Sequence, residues 1–206
     1  MSDEDFQQAY SLAQESKDEE SSEFLKQHPT IVNMQCKGDR KRTLLHLACA
    51  NRLDKLFATI LSLDPNLGVP DSVNEFALHK ACFRASPEMV LALIKADPST
   101  IDHPGFNDST PLMYACSGNR PLAAKHLVEA GCKLDSRNLS GGTALHVAAS
   151  NGVLECVELL IAAKVDTNCE DSDGDTALDR AIFMRKEQCA KVLKEAGAVT
   201  HNKSWP

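Results

Sequence analysis

The sequence of 206 residues predicts an all-α solenoid of about six helix-turn-helix units linked by β-turn or hairpin loops. Three observations carry that prediction. A seven-residue pattern recurs five times at a near-constant interval, a second apolar stretch at helical spacing follows the copies, and turn-forming residues stand at a fixed distance before them.

The copies read Thr-Leu-Leu-His-Leu-Ala-Cys at 43–49, Phe-Ala-Leu-His-Lys-Ala-Cys at 76–82, Thr-Pro-Leu-Met-Tyr-Ala-Cys at 110–116, Thr-Ala-Leu-His-Val-Ala-Ala at 143–149 and Thr-Ala-Leu-Asp-Arg-Ala-Ile at 176–182, starting 33, 34, 33 and 33 residues apart. The apolar stretch behind them is clearest in Leu154, Val157, Leu160 and Ile161, and in Leu122, Leu127 and Val128. Two short helices cannot bury both their faces alone, whereas stacked units cover one another. The small Ala48, Ala81, Ala115, Ala148 and Ala181 then permit close helix approach, and Leu residues fill the layer. Two residues before each copy stand Lys41, Asn74, Asp108, Gly141 and Gly174. Gly, Asn and Asp tolerate positive φ; Lys41 does not fit, so the first turn is expected to be less regular.

This pattern resembles the ankyrin repeat, whose signature is Thr-Pro-Leu-His-x-Ala and whose unit is a turn plus two helices. Ala9, Leu12, Ala13 and Pro29 repeat Leu45, Ala48, Cys49 and Pro65 at an offset of 36, which extends the resemblance to the start of the chain. The organisation expected is a degenerate N-terminal capping repeat with an acidic segment (1–38), five ankyrin repeats (39–70, 71–104, 105–137, 138–170, 171–198) and an aperiodic, frayed tail (199–206).

Charge is unevenly placed. The net −7 is matched by residues 1–23 alone, which hold eight acids and only Lys17 as a base. In the neutral remainder, Lys37, Arg40, Lys41 and Arg42 cluster at the first turn, and Glu170, Asp171, Asp173 and Asp175 at the last. Each cluster read singly is a solvated face; at opposite ends of one solenoid they would orient a partner with the complementary gradient. A short basic run on a chain of pI about 5.5 is poor support for nucleic-acid binding, which demands a broad basic face. No stretch approaches the roughly 18 apolar residues of a membrane span, and the acidic start is unlike a secretory signal, so a monomer in the cytosol, and also the nucleus, is expected.

Of the eight cysteines, Cys49, Cys82 and Cys116 share one slot of the repeat and Cys156 and Cys189 another. No pair has Cys-x-x-Cys spacing, so these five are read as small buried hydrophobes; Cys36, Cys132 and Cys169 lie nearer the turns. His46, His79 and His146 occupy signature position four, where the resemblance implies hydrogen bonds within and between turns. A catalytic dyad would occur once and not in every repeat. No phosphate loop, nucleophile elbow or His-Glu-x-x-His helix is present, so the chain is expected to be no enzyme and to need no cofactor or metal.

What remains is protein recognition. The resemblance implies a partner in the groove formed by the turn tips and the first helices. It nominates signature position five, Leu47, Lys80, Tyr114, Val147 and Arg180, and position eight, Phe83 and Phe183, with Arg40 and Arg42 at the basic turn. Arg42 and Tyr114 are expected to be exposed. Within the family, Ala9-Tyr10-Ser11, residues 110–120 and Lys164 to Thr176 are similar to the gankyrin-like proteasome-assembly chaperones, which implies a proteasome regulatory ATPase subunit as partner. Against that, Gly118 replaces a basic interface residue of that group and the chain is one repeat shorter. The alternative partner is a kinase, a transcription factor or another signalling protein. A Leu-x-Cys-x-Glu motif at 154–158 falls inside a helix with Cys156 expected in the core, and is read as coincidence. Asn168, with Leu160 eight residues before and Asp166 two before, is similar to the pattern modified by an asparaginyl hydroxylase acting on ankyrin proteins, which makes it a candidate for hydroxylation; an ordinary turn asparagine is the competing reading.

Overall fold

A computed structural model describes residues 3–201, which fall into two compact units divided between Thr100 and Ile101. The first unit holds α1 (Asp3–Gln14), α2 (Asp18–Gln27), α3 (Leu44–Asn51), α4 (Asp54–Ser62), α5 (Ala77–Arg84) and α6 (Pro87–Ala96). The second holds α7 (Pro111–Ser117), α8 (Pro121–Glu129), α9 (Ala144–Asn151), α10 (Leu154–Ala162), α11 (Ala177–Phe183) and α12 (Glu187–Glu195). Among the described residues the only β-pairing is an isolated antiparallel bridge between Glu170 and Thr176. The architecture is therefore all-helical, as the periodicity predicts.

Packing is between neighbours. In the first unit α1 lies on α2 and α3, α3 on α4 and α5, α2 on α4, and α5 on α6. In the second α7 lies on α8 and α9, α9 on α10 and α11, and α12 on α10 and α11. First helices thus stack on first helices and second on second, which the alanines allow: Ala48, Ala81, Ala115, Ala148 and Ala181 are all fully buried. The signature leucines Leu45, Leu78, Leu112, Leu145 and Leu178 are buried beside them, each contributing about 1.5–3 kcal/mol by its removal from water.

The acidic N-terminal segment is used structurally. Phe6, Ala9, Tyr10 and Ala13 form the buried face of α1, and the Tyr10 hydroxyl donates to Asp39 Oδ2 at 2.7 Å. Leu53, at the N-cap of α4, supplies no side-chain cap. Asp18 of α2 supplies it from outside, accepting from the Lys55 and Leu56 amides at 3.0 and 2.8 Å, where a carboxylate also meets the positive end of the helix dipole. Ion pairs Lys37–Asp3 and Lys55–Glu19 join the acidic segment to the rest of the unit. What reads in sequence as a solvated run therefore includes one cap and several pairings.

The turns follow the expected register. All five residues two before a signature have positive φ: Lys41 at 53°, Asn74 at 63°, Asp108 at 55°, Gly141 at 71° and Gly174 at 77°. Lys41 adopts the conformation despite its side chain, and Arg40 before it does the same at 51°, so the first turn carries two consecutive left-handed residues. At Gly141 more than φ matters: a Cβ there would lie 2.6 Å from Ser172 Oγ and 2.7 Å from Ser172 N. Only glycine lets the fourth and fifth turns approach this closely. Successive turns are joined by backbone bonds, Ser72 N to Arg40 O at 2.7 Å, Leu139 N to Asn107 O at 3.0 Å and Ser172 N to Ser140 O at 3.0 Å.

The tail departs from expectation over its described part. Val199 N donates to Asn168 Oδ1 at 2.9 Å and His201 N to Asp179 Oδ2 at 3.1 Å, so 199–201 are tied to the fifth turn and α11 by polar contacts that hydrophobic periodicity does not register. The remainder of the tail, 202–206, lies outside the described residues.

Candidate protein-binding surface

The three signatures that carry a histidine begin with a cap that commits it. Thr43 precedes α3 in extended conformation, and its amide donates to His46 Nδ1 at 3.2 Å. That nitrogen is therefore the acceptor, so Nε2 carries the proton and donates to Glu75 O at 2.9 Å. In the second unit Thr143 N donates to His146 Nδ1 at 3.2 Å and His146 Nε2 to Asp175 O at 3.1 Å, and Phe76 N meets His79 Nδ1 at 3.1 Å. Burial holds the His46 and His146 imidazoles below their usual pKa. They are neutral struts joining turns, as the resemblance implies, and their lone pairs are already used.

The fifth signature differs. Asp179 is fully buried, and its Oδ2 accepts from Thr176 N at 2.9 Å, Thr176 Oγ1 at 2.8 Å and His201 N at 3.1 Å. An acceptor replaces a donor, and the group it meets is accordingly an N–H instead of a carbonyl.

Seven of the eight cysteines are buried in the cores of the units. Cys49, Cys82, Cys116, Cys156 and Cys189 are buried free thiols, and so are Cys36 and Cys132. Burial pushes the Cys49 thiol well above its usual range and Cys132 up to about 12, so neither offers a thiolate nucleophile. Cys156 faces the core, which removes it from the linear motif at 154–158.

Of the nominated contact residues, Leu47 is 3% exposed and packs inside the first unit; it offers nothing to a partner. Lys80 and Arg180 at the same signature position bend back onto their own turns. Lys80 pairs with Glu75 and lies 3.6 Å from Asp71; Arg180 lies 2.6 Å from both Asp171 and Asp173 and 3.5 Å from Asp175. The two clusters have the same design, one base neutralising acids at equivalent places of two turns. Burial pushes the Asp171 carboxyl up, but the Arg180 guanidinium and the Asp175 and Asp173 amides outweigh it and hold it below the usual carboxylate range. Arg42 is also drawn inward: its side chain is 21% exposed, 3.5 Å from Asp39 and 3.8 Å from the buried Asp71. The expectation that Arg42 is an exposed charge is thus corrected, because acids contributed by its own and the following turn surround it. Arg40 alone of the basic pair is exposed.

Apolar groups remain on the same side. In the first unit Phe83 is 37% exposed, with the Arg84 guanidinium 5.9 Å from its ring centroid. In the second, Phe183 is exposed, while Tyr114, expected to be exposed, is half-buried, as is Val147. Two further apolar residues were missed by sequence reasoning: Phe106 and Leu139, both strongly exposed at turn tips. Their signal was legible, since four residues before the signature stand Asp39, Ser72, Phe106, Leu139 and Ser172, two bulky apolar side chains in a polar series. Asn168, exposed, uses its Oδ1 to accept from Val199 N and its backbone N–H to donate to Asp166 Oδ1 at 2.9 Å.

The family profile described as "Ankyrin repeats (3 copies)" matches residues 45–138 and 112–204. The chain belongs to the ankyrin-repeat family. Among curated relatives it is 32% identical to the E3 ubiquitin-protein ligase KEG of Arabidopsis thaliana over 59% of this chain and 8% of that protein. It is 27% identical to the ankyrin repeat domain-containing protein SAT10 of Stachybotrys chartarum over 82% of this chain and 8% of that protein. With the human ankyrin repeat and SOCS box protein 16 it shares 28% over 63% of this chain and 33% of that protein. The ankyrin chain thus spans a third or less of the length of these relatives. Ankyrin repeats are protein-interaction modules, generally non-catalytic, and the struts, cores and turns described above are how this one builds its units. Among the described residues no helix is long and apolar enough to cross a membrane.

Proposed function

We propose that the chain is a non-catalytic binding module acting in the cytosol or nucleus, whose contact surface in each unit is the side carrying the turn tips and the outer face of the first helices. One observation carries this reading most directly. Apolar side chains stay accessible on that side, Phe83 in the first unit and Phe183, Tyr114 and Val147 in the second, whereas the histidines and cysteines that might serve catalysis are consumed in holding the fold. Aromatic side chains on a rigid helix are efficient binding anchors because little conformational freedom is lost on contact.

The narrower reading, a gankyrin-like chaperone holding a proteasome regulatory ATPase subunit, rests on the sequence similarity of 110–120 and 164–176; the relatives add nothing to it, being diverse ankyrin proteins. Inhibition or scaffolding of a kinase, transcription factor or signalling protein is the competing role. Affinity purification with the intact chain, compared with a Phe83→Ala, Tyr114→Ala, Phe183→Ala variant of unchanged melting temperature, tests both levels. Specific loss of one retained protein from the variant supports the surface, and that protein's identity decides between the roles. Equal retention by both proteins would exclude the surface.

A further inference from the structure

We infer that the tips of the third and fourth turns, through Phe106 and Leu139, form a docking site for a protein segment that presents apolar side chains beside lysine or arginine. This rests on the chain's being a protein-binding module and names a partner chemistry for the second unit.

Phe106 and Leu139 occupy equivalent positions, 54% and 69% exposed, where the other turns carry Asp39, Ser72 and Ser172. Their turns are adjacent, joined by the bond from Leu139 N to Asn107 O, so the two side chains belong to one patch. They contribute little to the folded core, and two large apolar groups held in water at neighbouring tips are what a binding surface requires. The tips are also preorganised. Gly105 N bonds Ser109 O at 2.9 Å across the third turn, and Asn138 Oδ1 gathers the Ser140 and Gly142 amides at 3.1 and 3.0 Å in the fourth, which lowers the ordering cost of docking.

Charge selects the partner. Within the tips themselves, 105–109, 137–142 and 170–175, stand five carboxylates, Asp108, Glu170, Asp171, Asp173 and Asp175, against the guanidinium group of Arg137 and that of Arg180, which reaches in from α11. Both cations are committed, Arg137 to Gly141 O and Glu170 O at 2.9 and 2.6 Å and Arg180 to the aspartates. Asp108 is exposed and Asp173 has a side-chain exposure of 73%. An excess of negative charge beside an apolar pair attracts a basic-apolar segment and repels acidic peptides and anionic lipid.

The test is selection of a displayed library of random 12-residue peptides on the intact chain, followed by fluorescence anisotropy of the enriched peptides. Peptides pairing Leu, Phe or Trp with Lys or Arg are expected. Their affinity should fall at least tenfold for Phe106→Ser with Leu139→Ser, at unchanged melting temperature, and likewise for Leu139→Lys, which sets like charge against the ligand. Enrichment of acidic peptides, tighter binding of phosphatidylserine vesicles than of any peptide, or undiminished binding to both variants would overturn the inference, and so would failure to enrich any peptide. Peptides that keep their affinity for the tip variants but lose it on Tyr114→Ala would leave the helix-face reading standing and the tip inference refuted.

Discussion

His146 Nε2 lies 3.1 Å from the carbonyl oxygen of Asp175, 29 residues further along the chain, and His46 meets Glu75 with the same separation. Each imidazole thus ties the helix of one repeat to the turn of the next. The arrangement requires a neutral ring, because Nδ1 accepts a backbone N–H and protonation there would remove that acceptor while leaving the Nε2 donor in place.

Stability should therefore fall on mild acidification. Burial lowers the folded-state pKa of His46 and His146 from 6.5, so below that value the unfolded chain binds more protons than the folded one. The stabilisation is complete above about pH 6.5 and is lost as pH falls through the depressed folded values. Melting temperatures between pH 7.5 and 5.5 should decline, and the slope should flatten in a His46→Asn, His146→Asn variant that keeps a cooperative transition; an equal slope would mean that other groups are responsible.

Leu145→Ala should cost about 2–5 kcal/mol, as truncation of a fully packed leucine. Leu47→Ala should behave in the same way, because Leu47 is buried. The informative comparison is chemical denaturation of both against Val147→Ala, whose half-buried side chain should cost less than either.

Reversal of Arg42 to Glu should destabilise the first unit by about 1–2 kcal/mol, less than a fully buried pair because the side chain is partly exposed and Lys80 still faces Asp71. A control at Arg40, exposed and without such acids around it, should change melting little when made Glu. Loss of binding in Arg42→Glu alone would thus be ambiguous unless its stability were measured beside it.

Asn168→Ala should free the Val199 amide and raise its hydrogen exchange, with about 0.5–1.5 kcal/mol lost at this site. Since the same side chain must be released before an enzyme reaches it, mass spectrometry after co-expression with an asparaginyl hydroxylase should show at most partial addition of oxygen at Asn168. Complete addition would mean that the bond to Val199 is readily broken.

The repeat interval, the two-helix unit and the burial of Ala48, Leu145 or Cys116 were readable from the chain because apolar periodicity and recurrence are properties of local sequence, and stacking identical units satisfies all of them at once. Sequence also marked the left-handed turn residues Asn74, Asp108, Gly141 and Gly174, whereas Lys41, read as the exception, adopts positive φ as well, since position within the repeat outweighs one side chain's preference. What a long polar side chain does was decided only by the tertiary structure. Leu47, Lys80 and Arg180 hold the same signature slot, yet Leu47 is buried and the two bases fold back onto Asp71 and Asp171. Those acids are brought within reach by the path of the turn, and a sequence pattern carries no distances. For the same reason Asp18 becomes the cap of a helix 36 residues away, and Phe106 and Leu139 become one patch: the partners are neighbours only after the repeats have stacked.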